Sequence, residues 1–215
     1  MKNKALQIVV CVIIAITLLF GGTFGVGYAI RNIRAVVKLG DITVDWSTVT
    51  YVASFYKMKY IEIHDHEGAG DTKEFWDTLT VDGITHAEDY TAEFKEFLRL
   101  TVAKAYLYIT HHGFTTEDKL RVTEKSESVL REFANGSVAE FNEIAKEYGF
   151  DYNDFQNADA LFYKSEKADE LLPVMFGQAE YDRQIAEVVD EVIFNDFYDS
   201  IDVINVPIIN DYYAR

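Results

Sequence analysis

THAEDYTAEFKEFLRLTVAKAYLYITHHGFTTEDKLRVTEKSESVLREFANGSVAEFNEIAKEYG, running from Thr85 to Gly149, decides the fold. It reads as three helices, each with its own start and stop. Thr85-x-x-Glu88 is a capping box, in which a hydroxyl and a carboxylate three residues apart satisfy each other's backbone amides. Behind it Tyr90, Phe94, Phe97, Thr101, Ala105 and Tyr108 recur in steps of three and four, the spacing of one helix face. Gly113 ends this helix, with Phe114 placed to fold back on it. Thr115-x-x-Asp118 restarts the pattern, with Val122, Ser126, Val129 and Phe133 as the expected buried face, and Asn135-Gly136 stops it. Ser137-x-x-Glu140 opens a third helix carrying Phe141, Ile144, Ala145 and Tyr148, closed by Gly149. The expectation is a mainly α fold.

Working outward, Ala35–Thr43 reads as a short strand, a tight turn at Gly40 and a return. Thr43 or Asp45 then caps a helix whose face is Trp46, Val49, Ala53, Tyr56 and Tyr60, ending near His64. Asp82-Gly83 marks a turn in a small hairpin. Asp151 to Leu172 is expected as a helix with Phe155, Leu161 and Phe162 inward, broken at Pro173. Gln178 to Tyr198 reads as helical. Ile201–Val206 alternates like a strand and is expected to pair near Val36. The fold class expected is an N-terminal transmembrane helix followed by a multi-helix domain with a few short β-strands.

That transmembrane helix rests on Ala5–Ile30, which contains no Asp, Glu, Lys or Arg and has the length of a span. The division expected is 1–30 as tail and anchor and 31–215 as the body. A cleaved signal would have a shorter apolar region, although Gly27-Tyr28-Ala29 is a weak cleavage site. The localisation expected is a cell membrane, crossed once through residues 5–30, with the body outside the cytoplasm. Lys2 and Lys4 on one side nearly balance Arg31, Arg34 and Lys38 on the other. Gly21-x-x-x-Gly25 could join two such helices in a homodimer, or simply soften the end of one.

The formal charge is −16, and Cys11 is the single cysteine. Every acidic residue lies after residue 40. Such a body argues against nucleic acid as a partner, which needs a basic surface. It contains no cysteine for a disulfide, a thiol nucleophile or a thiolate metal site.

Among residues that could carry chemistry, His64-Asp65-His66-Glu67 with Asp71 nearby has the right side chains for a metal. It lacks ligand spacing, and a solvated interhelix loop is the plainer reading, so no metal and no cofactor is expected. His111 and His112 sit at a helix end, where the dipole favours a cation. No nucleophile elbow, phosphate loop or dinucleotide fingerprint occurs, and no catalytic residue is assigned. Fifteen Phe and fourteen Tyr exceed what one small core needs to hide. Tyr51, Phe55, Phe162, Tyr163, Tyr181 and Tyr198 are the candidates for an exposed apolar groove that binds other chains.

Val37-Lys38-Leu39-Gly40-Asp41-Ile42-Thr43-Val44-Asp45-Trp46 resembles the opening of SurA/PrsA-type extracytoplasmic chaperones, with Leu39 where Asn is usual. Asp82-Gly83-Ile84-Thr85 followed by Tyr90-x-x-x-Phe94 resembles their Gly-x-Thr-Trp and long helix. The helices from Ala103 to Gly113, from Thr116, and up to Tyr148-Gly149 follow the same order. The resemblance spans Val36 to Tyr163 and implies a helical N-domain that binds unfolded or exported polypeptides. The chain ends at Arg215, where a parvulin isomerase domain would begin, so the resemblance implies chain binding without isomerase activity. The function expected is a membrane-anchored, non-catalytic chaperone-like protein. The rival is a tethered assembly subunit that docks one folded partner.

Overall fold

The computed structural model describes residues 35–208. They open with β1 (Ala35–Leu39) and β2 (Ile42–Asp45), an antiparallel hairpin. Its two-residue loop puts Gly40 at φ +55°, the left-handed first position that suits the strand twist. Asp45 then caps α1 (Trp46–His64), accepting from Thr48 N at 2.8 Å. A short α2 (Lys73–Asp77) follows. An isolated bridge between Leu79 and Thr85 is what forms of the expected hairpin.

The stretch from Thr85 to Gly149 folds in the expected order as α3 (His86–His111), α4 (Thr116–Ala134) and α5 (Val138–Ala145). Both halves of the Thr85–Glu88 and Thr115–Asp118 capping boxes are made. Asn135 takes a left-handed φ of 48°, ending α4. The buried stripe of α4 is Val122, Ser126, Leu130 and Ala134, while Val129 and Phe133 are half-buried at its edge.

Two long-range features differ from expectation. First, α6 (Tyr152–Phe176) runs through Pro173 and stops at Gly177, before α7 (Gln178–Val189). Proline here forfeits one bond of the last turn, and Leu172, fully buried against Tyr108 and Tyr181, holds the turn in place. Second, the helix from Gln178 ends well before Tyr198. The chain turns into β3 (Ile193–Phe194), which pairs antiparallel with β1 and completes a sheet of order β2-β1-β3. Asn195 fixes this closure by donating its amide N–H to Val36 O at 3.0 Å and its side-chain amide to Ala35 O at 2.6 Å.

Ile201–Val206 is not a strand. Ile201, Val203 and Val206 are buried, yet the segment's carbonyls turn toward α1, where Lys57 Nζ donates to Ile204 O and to Val206 O. A lysine side chain thus takes the place of a neighbouring strand.

The expected fold class is corrected to what the described residues show: none of their helices is long and apolar enough to cross a membrane. The longest, α3, carries Glu88, Asp89, Glu93, Lys95, Glu96, Arg99 and Lys104, so charge recurs from its first turn to Lys104. Residues 5–30, and with them the Gly21/Gly25 pairing, lie outside the described residues. The architecture shown is mainly α with a few short strands.

Candidate functional site

Four helices leave a groove of about 480 Å³ between them. From α1 come Tyr51 and Phe55, one turn apart, with Lys59 beyond them. The α3 wall is Phe97, Leu100, Thr101 and Lys104; α4 gives Lys125 and Val129. On α6, Phe155, Asp159, Phe162, Glu166 and Asp169 follow the helical repeat along one face. The volume falls within the about 300–1,000 Å³ range of small-ligand pockets. The walls are mostly apolar. Phe162 stands 6.2 Å from both Phe55 and Phe97, ring centre to ring centre, bridging the two sides.

The rim is charged and largely self-paired. Lys104 Nζ lies 2.8 Å from Asp169 Oδ2, and Lys125 pairs with the buried Asp159. Lys59 lies over the Phe55 ring at 4.7 Å. These two ion pairs join α3 and α4 to α6 across the groove.

Of the six aromatic residues expected at an exposed groove, the structure brings Tyr51, Phe55 and Phe162 together here. Tyr51 is its buried floor, packed edge-on to Phe150 at 4.9 Å, while Phe55 and Phe162 are half-buried walls. The other three lie elsewhere. Tyr163 is half-buried in a separate depression and donates to Asp118 Oδ1 at 2.8 Å. Tyr181 is buried in a satellite core with Leu107, Tyr108 and Leu172, its hydroxyl donating to Asp169 Oδ1 at 2.8 Å. Tyr198 is buried against Phe194 at 4.6 Å, beneath the Lys95 ammonium. Burial raises the phenols of Tyr181 and Tyr198, and for Tyr181 the Asp169 carboxylate adds to the effect. Exposure of Tyr51, Tyr181 and Tyr198 is therefore corrected: all three are buried, the latter two away from the groove. Phe97, Leu100 and Val129 also line the groove but were not among the candidates. Phe97 lies on the predicted core face of α3, and nothing in a single helix's pattern says which core positions will face a gap.

The histidine-rich loop after α1 does not gather its own ligands. His66 is exposed. Asp65 accepts from Ala69 N at 2.9 Å and Gly70 N at 2.6 Å, and these backbone bonds, Gly70's foremost, lower its carboxyl. Asp71 turns away toward α1. His64 instead meets α3, where its ring nitrogen and carboxylate oxygens of Asp89 and Glu93 all lie within 4.8 Å of one another. The Tyr60 ring stacks on His64 at 4.2 Å, and its hydroxyl donates to Asp89 Oδ2 at 2.8 Å. The Tyr56 hydroxyl reaches Glu93 Oε2 at 3.4 Å. Burial first, and the facing carboxylates second, push the Tyr56 phenol up to about 12 and raise that of Tyr60.

No family model, curated protein or solved structure matches the chain.

Proposed function

We propose that the chain is a chaperone-like module that binds unfolded polypeptide segments, seating bulky apolar side chains in the groove between α1, α3, α4 and α6. The observation that carries this reading is the groove itself: aromatic walls from α1, α3 and α6 converge on a gap that the protein's own side chains leave unfilled. The occupant is an extended segment with aliphatic or aromatic side chains and basic neighbours. A chain of formal charge −16 draws basic segments in and repels acidic ones. Each apolar side chain buried is worth about 1.5–3 kcal/mol. One or two of them do little more than offset the cost of association. Binding is then weak at each contact and tolerant of sequence, as a holder of unfolded chains requires.

The test is titration of the full chain with a permanently unfolded, labelled test protein, together with its ability to slow that protein's aggregation. Wild type binds and suppresses aggregation, and Phe162→Asp, which puts a charge on the groove wall, loses both. If wild type neither binds nor protects, or if Phe162→Asp binds as well as wild type, the reading fails. Capture of one stoichiometric folded partner in place of unfolded chains would favour an assembly subunit.

A further inference from the structure

We propose that His64, Asp89 and Glu93 form a binding site for a divalent transition-metal ion, of the zinc class, linking the end of α1 to the beginning of α3. The inference is independent of the groove.

The donor set is one imidazole nitrogen and two carboxylate oxygens. Such a mixed set suits zinc and its first-row neighbours, whereas magnesium and calcium favour oxygen alone. Asp89 and Glu93 lie four residues apart on α3, so their side chains stack on one face. His64 is the last residue of α1 and comes to them from the facing helix. In a tetrahedral site, metal–ligand bonds of about 2.0–2.2 Å place donor atoms about 3.3–3.6 Å apart. The observed 4.8 Å limit therefore needs only a small inward movement, and exposed Glu93 has the space to make it.

Two further observations separate this cluster from an ordinary patch of surface acids. Each ligand is already oriented by a tyrosine: Tyr60 stacks on His64 and donates to Asp89, and Tyr56 reaches Glu93. Because the Tyr60 hydroxyl proton goes to Asp89, the 3.0 Å contact between that oxygen and His86 Nδ1 is one in which the imidazole donates. The resulting relay, His86 to Tyr60 to Asp89, is the kind of outer support that fixes metal-binding carboxylates. Second, among the described residues no ion pair includes Asp89 or Glu93. Two carboxylates thus face each other with no lysine or arginine neutralising them, and a divalent cation supplies that charge. With three protein ligands and an exposed side at Glu93, the fourth position would hold water.

The experiment is calorimetric titration of chelator-treated full chain, carrying no histidine tag, with zinc chloride. One ion binds per chain, and magnesium in large excess does not displace it. His64→Gln and Glu93→Gln each weaken binding at least about 10-fold, and Tyr60→Phe weakens it about 10-fold through the lost support of Asp89. His66→Ala, in the loop two residues away, binds as wild type does. Glu93 is exposed, so its replacement leaves the fold intact, as circular dichroism would verify. Equal zinc binding by wild type, His64→Gln and Glu93→Gln overturns the site. So does loss of binding in His66→Ala, or displacement of zinc by magnesium.

Discussion

Lys57 Nζ lies 2.7 Å from Asp71 Oδ2, with the lysine 1 % exposed. This ion pair joins the middle of α1 to the loop that leads into α2. The other oxygen of Asp71 accepts from Trp76 Nε1 at 2.7 Å, and the remaining ammonium protons go to Ile204 O and Val206 O. One cation therefore gathers three separate segments, and each of its hydrogens has an acceptor. Buried charge is tolerable only under that condition.

Lys57→Met is expected to destabilise the protein by about 3 kcal/mol. Breaking a buried pair costs about 3–5 kcal/mol, and the lower end applies because the Asp71 side chain is 33 % exposed. Urea unfolding measures the loss. Hydrogen exchange should show amides of residues 201–206 losing protection in the variant while those of α3 keep it. Unchanged protection at 201–206 would mean that apolar packing alone holds the segment.

The pH dependence of stability should show two carboxylates acting in opposite directions. Burial pushes the Asp154 carboxyl up to about 6, against hydrogen bonds from Ser47 Oγ and Asp151 N. Its folded value exceeds the unfolded value of about 3.9, so the stability it contributes is full below about pH 4 and lost as pH rises through about 6. Asp118 has the reverse sign. Burial works to raise it, but bonds from the Thr115 hydroxyl and amide, Tyr163 and Tyr108 prevail and hold it at about 2. Its contribution is present above about pH 4 and lost as pH falls toward 2. Urea midpoints against pH should lose their slope between about 4 and 6 in Asp154→Asn, and between about 2 and 4 in Asp118→Asn.

Gly40→Ala should cost about 1–2 kcal/mol from the left-handed backbone alone, and more from packing. A Cβ at this φ of +55° would stand 2.7 Å from Cε2 of Tyr106, so the ring must shift. A double-mutant cycle with Tyr106→Ala separates the two effects. The alanine at position 106 should remove the packing part and leave the backbone part, giving a coupling that departs from additivity.

Within the groove, Phe155→Ala and Phe162→Ala should behave differently. Phe155 is 3 % exposed, and truncating it costs about 3–5 kcal/mol. Phe162 is half-buried, so its truncation costs markedly less stability while removing more of the binding surface. Melting curves and titration with an unfolded test protein, run on both variants, give the comparison.

The local grammar of the chain was readable residue by residue. Capping pairs such as Thr85–Glu88, stops such as Asn135-Gly136 and the core positions Tyr90, Phe94 and Tyr108 all depend on neighbours within a few residues. What escaped was non-local. The partner of β1 is Ile193–Phe194 and not the better-alternating Ile201–Val206, because Lys57, far away in sequence, captures the carbonyls of the latter. The floor role of Tyr51, the burial of Tyr181 and Tyr198, and the meeting of His64 with Asp89 all depend on which helix packs beside which. Hydrophobic period says that a face is covered, not by what. Even the spacing Asp89-x-x-x-Glu93, visible in the sequence, has no meaning for a metal until the end of α1 is placed beside it.

The pairing of β3 with β1 also bears on how the protein is born. The outer edge of the first strand, and the carbonyl partners of Lys57, are all supplied by residues 193–207. A ribosome that has delivered only the first helices has released a fragment whose sheet lacks a member and whose inner ammonium lacks two acceptors. The domain can therefore lock only when synthesis of this stretch is nearly finished, and contacts so distant in sequence make that closing step a slow one.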